Sequence, residues 1–460
     1  MQVFIVVALG CGLFTNQIIL SDFMEEHQIN IRMFRPMESY QKYGGVLTFA
    51  RSVGYAVVKK PEGYTTAKVD QIIQEYEKKS ANEQQSTAKQ YPNIITVVNE
   101  TFADIKVLGD FKTNEDYMPY FHSLKKNCVT GYTYASIVGG QTANTEFELL
   151  TGNTLGFLSA GTTAFQLYIH GQMPSLVSNL KAEGYSGNKA MHPFNPYNYN
   201  RPAVYKDFGF TDFIDKFDFP KNVKRVREYI SDEANVDRII SEYEKNRKKT
   251  DQPFYMYNMT IQNHSPYDKD AANFKQPIKI ESSKYDAEAN RYLNLIKYSD
   301  DSLKQLTSYF EKCKEPTIIL FLGDHQPRLT DEFMNKITNG KYQTWSSEQM
   351  MKRYQVPFVI WANYDIKEQH IEKTSMNYMQ SILTQTAGVK MTGYQRFLNE
   401  VRKEVPTITS QGYWGKNGKF YQINDKGSPY YGIIQKYRMI QYNMMFDKKN
   451  RRDSFFEVSK

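Results

Sequence analysis

From Tyr91-Pro92 onward, short apolar runs alternate with segments of helical spacing. The runs are Asn93 to Val98 (NIITVV), Phe254 to Ile261 (FYMYNMTI), Thr317 to Leu322 (TIILFL) and Val356 to Trp361 (VPFVIW). Each is short, continuously apolar, and β-branched or aromatic, as a strand reads when both its faces are buried. Between them the pattern predicts helices at Phe147 to Leu150, Leu176 to Glu183 and Asn290 to Phe310. In the last, Leu293, Ile296, Leu303, Leu306 and Tyr309 recur near the helical period. Strands alternating with helices predict an α/β protein whose sheet is joined by crossover helices.

The first ninety residues follow another pattern. Val3 to Leu20 (VFIVVALGCGLFTNQIIL) carries no charged side chain and is just long enough to span a bilayer core. No Lys or Arg precedes it, so the basic start of a signal peptide is missing, and Asp22, Glu25 and Glu26 follow at once. We read residues 1–20 as a transmembrane helix with the rest of the chain outside; it reads equally as the last span of a longer membrane region, and a buried helix is the plain alternative. Residues 21–90 then form a helical juxtamembrane connector and linker. Val69, Ile72, Ile73 and Tyr76 have helical spacing, and Lys78 to Gln90 (KKSANEQQSTAKQ) is polar without periodicity.

Composition narrows the classes. Hydrophobic residues make up 40% and charged ones 23% of the 460, which fits a globular chain rather than a disordered one. The net charge of +8 favours an anionic lipid surface or a phosphate-bearing substrate. No dense Lys/Arg stripe argues for nucleic acid. The one compact basic run, Lys448, Lys449, Arg451 and Arg452, reads as a solvated tail over residues 446–460. Cys11, Cys128 and Cys313 are scattered and make no disulfide framework or metal motif.

In open α/β sheets, sites form beyond the carboxyl ends of the strands. NIITVV is followed by Asn99-Glu100-Thr101, FYMYNMTI by Gln262-Asn263-His264, and TIILFL by Gly323-Asp324-His325. Any one of these is as readily a turn residue. Together, Glu100, Asp324 and His325 form a set suited to Mn²⁺ or Mg²⁺, with Zn²⁺ also compatible. Gly139 to Phe147 (GGQTANTEF) is a flexible turn entering an apolar helix, and Thr145 and Glu148 have capping-box spacing. Thr142 then sits at or just before a helix N-terminus, as a metal-bound nucleophile or as a simple cap; read alone, the segment favours the cap.

The blocks PNIITVVNETF, GGQTANTEFELLTGNTLGFL, MTIQNHSPY and FLGDHQPR, in this order, resemble the sulfatase/alkaline-phosphatase superfamily, and within it the lipoteichoic acid synthase and phosphoglycerol transferase branch. The resemblance runs from about Pro92 to Arg451. It implies a central, mostly parallel sheet flanked by helices with a smaller C-terminal part, a catalytic domain over 91–445, and a place outside the bacterial cell membrane. It also implies metal ligation by Glu100, Thr142, Asp324 and His325, with Thr142 as nucleophile. His264 stands near the leaving or entering oxygen. His192, Tyr199 and Arg201, in HPFNPYNYNRPAVYKDFGF, match the block that grips glycerophosphate. Tyr199 replaces a tryptophan common in lipoteichoic acid synthases, Gln141 a glycine and Ser159 a proline.

The chemistry so implied is a two-step displacement. Thr142 attacks phosphatidylglycerol, diacylglycerol leaves with His264 as the candidate proton donor, and a glycolipid or teichoic-acid-type polymer takes the glycerophosphate. A sulfatase would need a Cys or Ser in a C/S-x-P-x-R motif, and Cys128 is followed by Val129 and Thr130. A phosphoethanolamine transferase or phosphodiesterase, and a non-catalytic wall-binding relict, remain as alternatives.

Overall fold

The computed structural model describes residues 36–56, 58–80 and 90–458, together with Phe14. The strands are β1 (Asn93–Asn99), β2 (Cys128–Tyr134), β3 (Ser186–Met191), β4 (Asp212–Ile214), β5 (Arg225–Val226), β6 (Tyr229–Ile230), β7 (Phe254–Met259), β8 (Thr317–Gly323), β9 (Gln355–Ala362) and β10 (Gln369–Ser375). Eight of them form one sheet in the order β10-β2-β9-β8-β1-β7-β3-β4, and β5 and β6 make a separate hairpin. The sheet is mixed. Strand β9 runs antiparallel to β2 and β8; the other pairings are parallel.

The continuous apolar runs are explained by burial on both faces. In β1, Ile94 and Val98 join the core on one side of the sheet, and Ile95 and Val97 join the core on the other. The alternation has the strand period of two. Truncating any of these to Ala leaves a cavity and costs about 2–5 kcal/mol.

The helices that matter here are α1 (Pro36–Ala56), α2 (Thr66–Ser80), α3 (Thr142–Thr151), α4 (Leu176–Ala182), α5 (Arg201–Phe208), α6 (Asp232–Arg247), α7 (Ala287–Phe310), α8 (Gly393–Glu404) and α9 (Tyr431–Met445). The smaller C-terminal part is a three-stranded antiparallel sheet, β11 (Thr407–Thr409), β12 (Gly412–Trp414) and β13 (Phe420–Tyr421); β11 lies against β10 and β2, and Ile408 and Tyr413 share a core with Phe397 of α8 and Tyr437 of α9.

Two expectations about the chain ends change. Helix α2 is not a free connector: Val69, Ile72 and Tyr76 are buried, the Tyr76 ring meets Phe397 edge-on at 4.7 Å, and Lys436 pairs with Glu75. Nor is the C-terminus a solvated tail. Phe455 and Phe456 are buried in the core around α8, and Arg452 pairs with Asp70 of α2. Two aromatic rings outweigh the basic run before them, because burying each is favourable by about 1.5–3 kcal/mol. The proposed span Val3 to Leu20 and most of the linker, residues 81–89, lie outside the described residues. Among the described residues no helix is long and apolar enough to cross a membrane.

Candidate active site

Strands β8, β1, β7 and β3 are neighbours and parallel, so their carboxyl ends open on one edge of the sheet. Glu100 follows β1, Asp324 and His325 follow β8, His264 follows β7 and His192 follows β3. The ends of β1 and β8 meet closely. A Cβ at Gly323 would lie 1.9 Å from the Phe102 carbonyl oxygen, so only glycine lets the two ligand-bearing turns touch.

Glu100, Asp324 and His325 are all buried, with ligand atoms within 4.8 Å of one another. His325 Nε2 lies 3.2 Å from Asp324 Oδ2 and 3.9 Å from Glu100 Oε1. Asp324 Oδ1 accepts from the Thr101 and His325 backbone N–H groups at 2.7 and 2.8 Å. The His325 Nδ1 bond to the Gln326 carbonyl, 2.9 Å, leaves Nε2 as the ligand nitrogen. Asp324 Oδ2 and His325 Nε2 are buried with no hydrogen-bond partner. Buried polar atoms are otherwise nearly always paired. Burial, followed by the charge of Asp324, pushes the Glu100 carboxyl well above its ordinary value. A divalent cation would satisfy both orphaned atoms and the crowded carboxylates, so the residues fit one.

Below this set lies a polar brace. Asn263 Nδ2 donates to Asn99 Oδ1, the Glu100 carbonyl and Ser299 Oγ. Asp232 Oδ2 accepts from Asn99 Nδ2 at 2.7 Å and Ser299 Oγ at 2.6 Å. It locks the turns after β1 and β7 to helices α6 and α7.

Thr142 is the first residue of α3. The turn before it takes positive φ at Gly139 (67°), Gly140 (143°) and Gln141 (66°). Gln141 therefore occupies a left-handed position that favours glycine. The Thr142 hydroxyl makes no hydrogen bond among the described residues, so it does not act as a cap. The expected capping box at Thr145 and Glu148 is also absent. Thr145 lies a turn inside the helix and donates to the Asp324 carbonyl at 2.7 Å. Glu148 accepts from Ser136 Oγ and the Leu155 N–H. All ten residues of α3 are buried, so its polar side chains bond inward instead of capping its end.

Two of those side chains reach other parts of the site: Thr145, bonded to the Asp324 carbonyl, and Glu146, which sequence reasoning passed over. Arg201 donates to Glu146 Oε1 from Nε at 3.1 Å and from Nη2 at 2.7 Å. Glu146 Oε2 accepts from Tyr257 at 3.2 Å and from the Tyr205 hydroxyl. Burial works against the Arg201 charge, and the Glu146 carboxylate more than offsets it, so the guanidinium stays firmly protonated. The signal in the sequence was a glutamate on a helix that has no solvent face.

A cavity of about 370 Å³ is lined by Glu100, Thr142, His192, Tyr199, Arg201, His264 and His325, with Asp324 fully buried behind them. The Tyr199 ring centroid lies 5.1 Å from the Arg201 guanidinium. His192 Nδ1 bonds the Met259 carbonyl at 3.0 Å. Burial, with help from Arg201, lowers its pKa well below the ordinary value and keeps it neutral. His264 Nδ1 bonds the Ser265 carbonyl at 2.7 Å; burial lowers its pKa too. Its loop is braced by Arg227, which donates to the carbonyls of Gln262, His264 and Pro266. Arg227 stands in no motif, and nothing in the sequence points to it.

The chain belongs to the sulfatase family, whose model matches residues 92–389. A protein of Rhizobium meliloti (strain 1021) named for cyclic β-1,2-glucan modification is 30% identical over 433 residues, 92% of this chain and 65% of that one. The lipoteichoic acid synthase-like YvgJ of Bacillus subtilis (strain 168) is 27% identical over 237 residues, 51% of this chain and 36% of its own length. The chain thus spans less than two thirds of these curated relatives. Among solved structures, the Streptococcus pyogenes phosphoglycerol transferase GacH, in complex with sn-glycerol-1-phosphate, matches with a TM-score of 0.70 at 20% identity, covering 87% of this chain and 100% of that one. The lipoteichoic acid synthase LtaP of Listeria monocytogenes matches at 0.58 and 19% identity, over 84% and 98% of the two chains. These likenesses are of fold: an alkaline-phosphatase-like α/β sheet with flanking helices.

Proposed function

We propose that this protein is a metal-dependent phosphoglycerol transferase. It moves glycerophosphate from phosphatidylglycerol to a hydroxyl of a glycan, glycolipid or teichoic-acid-type polymer, at the outer face of a bacterial membrane. The observation that carries this reading is the single cavity. It is lined together by a threonine with an uncommitted hydroxyl at a helix start, by residues of a set suited to a cation, and by a carboxylate-anchored arginine.

Glu100, Asp324 and His325, with Thr142 Oγ, are the residues that would hold the cation; two carboxylates and an imidazole suit Mn²⁺, with Mg²⁺ or Zn²⁺ as substitutes. Such a cation polarises phosphoryl oxygens and acidifies the threonine hydroxyl. Arg201, kept charged by Glu146, takes the phosphoryl oxygens. Neutral His192 offers Nε2 as an acceptor for a glycerol hydroxyl.

The proton balance needs only two groups. Thr142 Oγ forms the new P–O bond, and the bond to diacylglycerol breaks. The proton that Thr142 gives up is the one the departing alcohol receives, with His264 as carrier. The second step reverses this with the acceptor hydroxyl, whose proton returns to Thr142. A carrier must start neutral, and the lowered His264 pKa provides that.

The test offers fluorescent phosphatidylglycerol in vesicles to the full chain with Mn²⁺ and follows diacylglycerol release. Release is expected to be metal-dependent and to fall at least about 10³-fold in Thr142→Ala. Turnover of phosphatidylethanolamine but not phosphatidylglycerol would overturn the donor; undiminished release in Thr142→Ala would overturn the nucleophile.

A further inference from the structure

Five of the large hydrophobic side chains exposed among the described residues lie on one element, α1: Met37, Tyr40, Val46, Phe49 and Val53, with Val46 at 72% and Phe49 at 65%. The helix breaks at Gly44 (φ 75°, ψ 171°). Thr48 Oγ1 donates to the Ser39 carbonyl across that break at 3.1 Å. In an unbroken helix those two residues stand about 13.5 Å apart along the axis, so the two halves fold against each other. In the second half, Val46, Phe49 and Val53 follow the spacing of one helix face. Thr48, Arg51 and Tyr55, on the opposite face, are buried, and Tyr168 donates to the Tyr55 carbonyl at 2.7 Å. Exposed apolar surface concentrated in this way marks an interaction site.

The same helix walls a cavity of about 700 Å³. Arg51 and Gly54 of α1 line it together with Lys59, Lys60, Phe157 and, from α9, Arg438. None of its residues lines the catalytic cavity. The lining is basic. Against Arg51, Lys59, Lys60 and Arg438 stands one carboxylate, Glu62, itself paired with Lys426 at 3.4 Å. Arg438 shows the imbalance best. Its guanidinium lies 5.1 Å from the centroid of the Phe157 ring, and its Nη2 donates to Asn424 Oδ1 at 2.8 Å. Its Nε is buried with no hydrogen-bond partner. No carboxylate pairs with it among the described residues, and burial pushes its pKa below the ordinary value. An anionic oxygen in the cavity would offset that desolvation.

The apolar face and the basic cavity meet on α1, where Val53 and Gly54 are neighbours. We propose that together they form a second lipid site: the phosphodiester headgroup of an anionic phospholipid enters the cavity, and its acyl chains lie along Val46, Phe49 and Val53. A helix lying in the membrane interface binds by both terms, buried apolar area and attraction to anionic lipid. The net charge of +8 favours an anionic surface over a second copy of this chain as the occupant. Only residues 21–35 separate α1 from the span read at Val3 to Leu20, so the bilayer expected there is within reach. The site takes no part in phosphoryl transfer. It seats the catalytic domain on the membrane, whichever lipid is the donor.

The test uses the full chain reconstituted in phosphatidylcholine vesicles with about 20 mol% phosphatidylserine, an anionic phosphodiester lipid that lacks the glycerol headgroup of the proposed donor. Phe49→Trp puts a fluorophore on the exposed stripe, and the wild type supplies the background of Trp345, Trp361 and Trp414. Bromine is carried on the acyl chains of one lipid at a time. Quenching of the added tryptophan, per brominated lipid, is expected to be at least about fivefold stronger for phosphatidylserine than for phosphatidylcholine. Arg438→Gln and Lys60→Gln should each lower that ratio about fivefold, the loss of one cation near the surface. Lys60 is exposed, so its variant decides the matter if Arg438→Gln fails to fold. No quenching by either lipid would overturn the proposal and give the stripe to another segment of this chain or to a second copy. Equal quenching by both lipids, or a ratio unmoved by Lys60→Gln, would overturn the anionic headgroup site.

Discussion

Arg201 Nη2 donates to Glu146 Oε1 at 2.7 Å, and the two side chains are 2% and 0% exposed. A charge pair this deeply buried is held by geometry, since its attraction must offset the desolvation of both groups. Here the geometry is complete: two Arg201 nitrogens bind one carboxylate oxygen, and two tyrosine hydroxyls bind the other.

Removing one partner should therefore cost more than the pair contributes. Glu146→Gln leaves the arginine buried without its counter-charge, a loss of about 3–5 kcal/mol, readable as a lower urea midpoint. Because Glu146 positions Arg201, the same variant should raise the KM for phosphatidylglycerol. An unchanged KM in a folded variant would show that Arg201 does not grip the donor.

The metal set should respond to its cation in stability as well as activity. A cation bound only by the folded state adds about 2.7 kcal/mol when present at 100 times its dissociation constant. Mn²⁺ should raise the unfolding free energy of the wild type. It should do so far less in Asp324→Asn, which weakens the ligand that now carries an unpaired buried oxygen. An equal shift in both proteins would place the cation elsewhere.

As the proposed proton carrier, His264 should set the acid side of the pH profile. Its pKa lies below the ordinary 6.5 because the ring is buried. The neutral, active form therefore persists below pH 6.5, and kcat/KM should fall only as pH drops through the lowered value. His264→Gln should abolish that limb as it lowers the rate. A limb centred above 6.5 in the wild type would contradict the assignment.

Glu148 ties stability to pH. Burial pushes its carboxyl up from 4.5 to about 7, against hydrogen bonds from Leu155, Ser136 and Thr154 that pull it down. Between those values the folded state holds a proton that the unfolded state has released. Its contribution is complete below about pH 4.5 and is lost as pH rises through about 7. The span corresponds to about 3 kcal/mol. Glu148→Gln should flatten the fall in unfolding free energy from pH 5 to 7.5, measured by denaturant titration.

Much of the catalytic edge was legible in the chain. The runs at β1, β7 and β8 are apolar on both faces, and that pattern survives any tertiary detail. The polar residues just past them had to emerge at one edge once the strands were parallel neighbours. The direction of β9 was not legible, because an apolar run carries no mark of its polarity. The role of Glu146 was hidden as well: its partners lie 55, 59 and 111 positions away, and only folding brings them together. The two C-terminal phenylalanines were masked by the basic run before them.

By itself, the sequence determined where buried strands lie, which ligand-type side chains follow them, and which family's motifs the chain carries. Local periodicity and turn chemistry suffice for that. The tertiary structure decided which of those side chains share a cavity, which atoms are left without partners, and which charges are held buried. These depend on contacts between residues far apart in the chain, and on desolvation, which exists only once the core has closed around them.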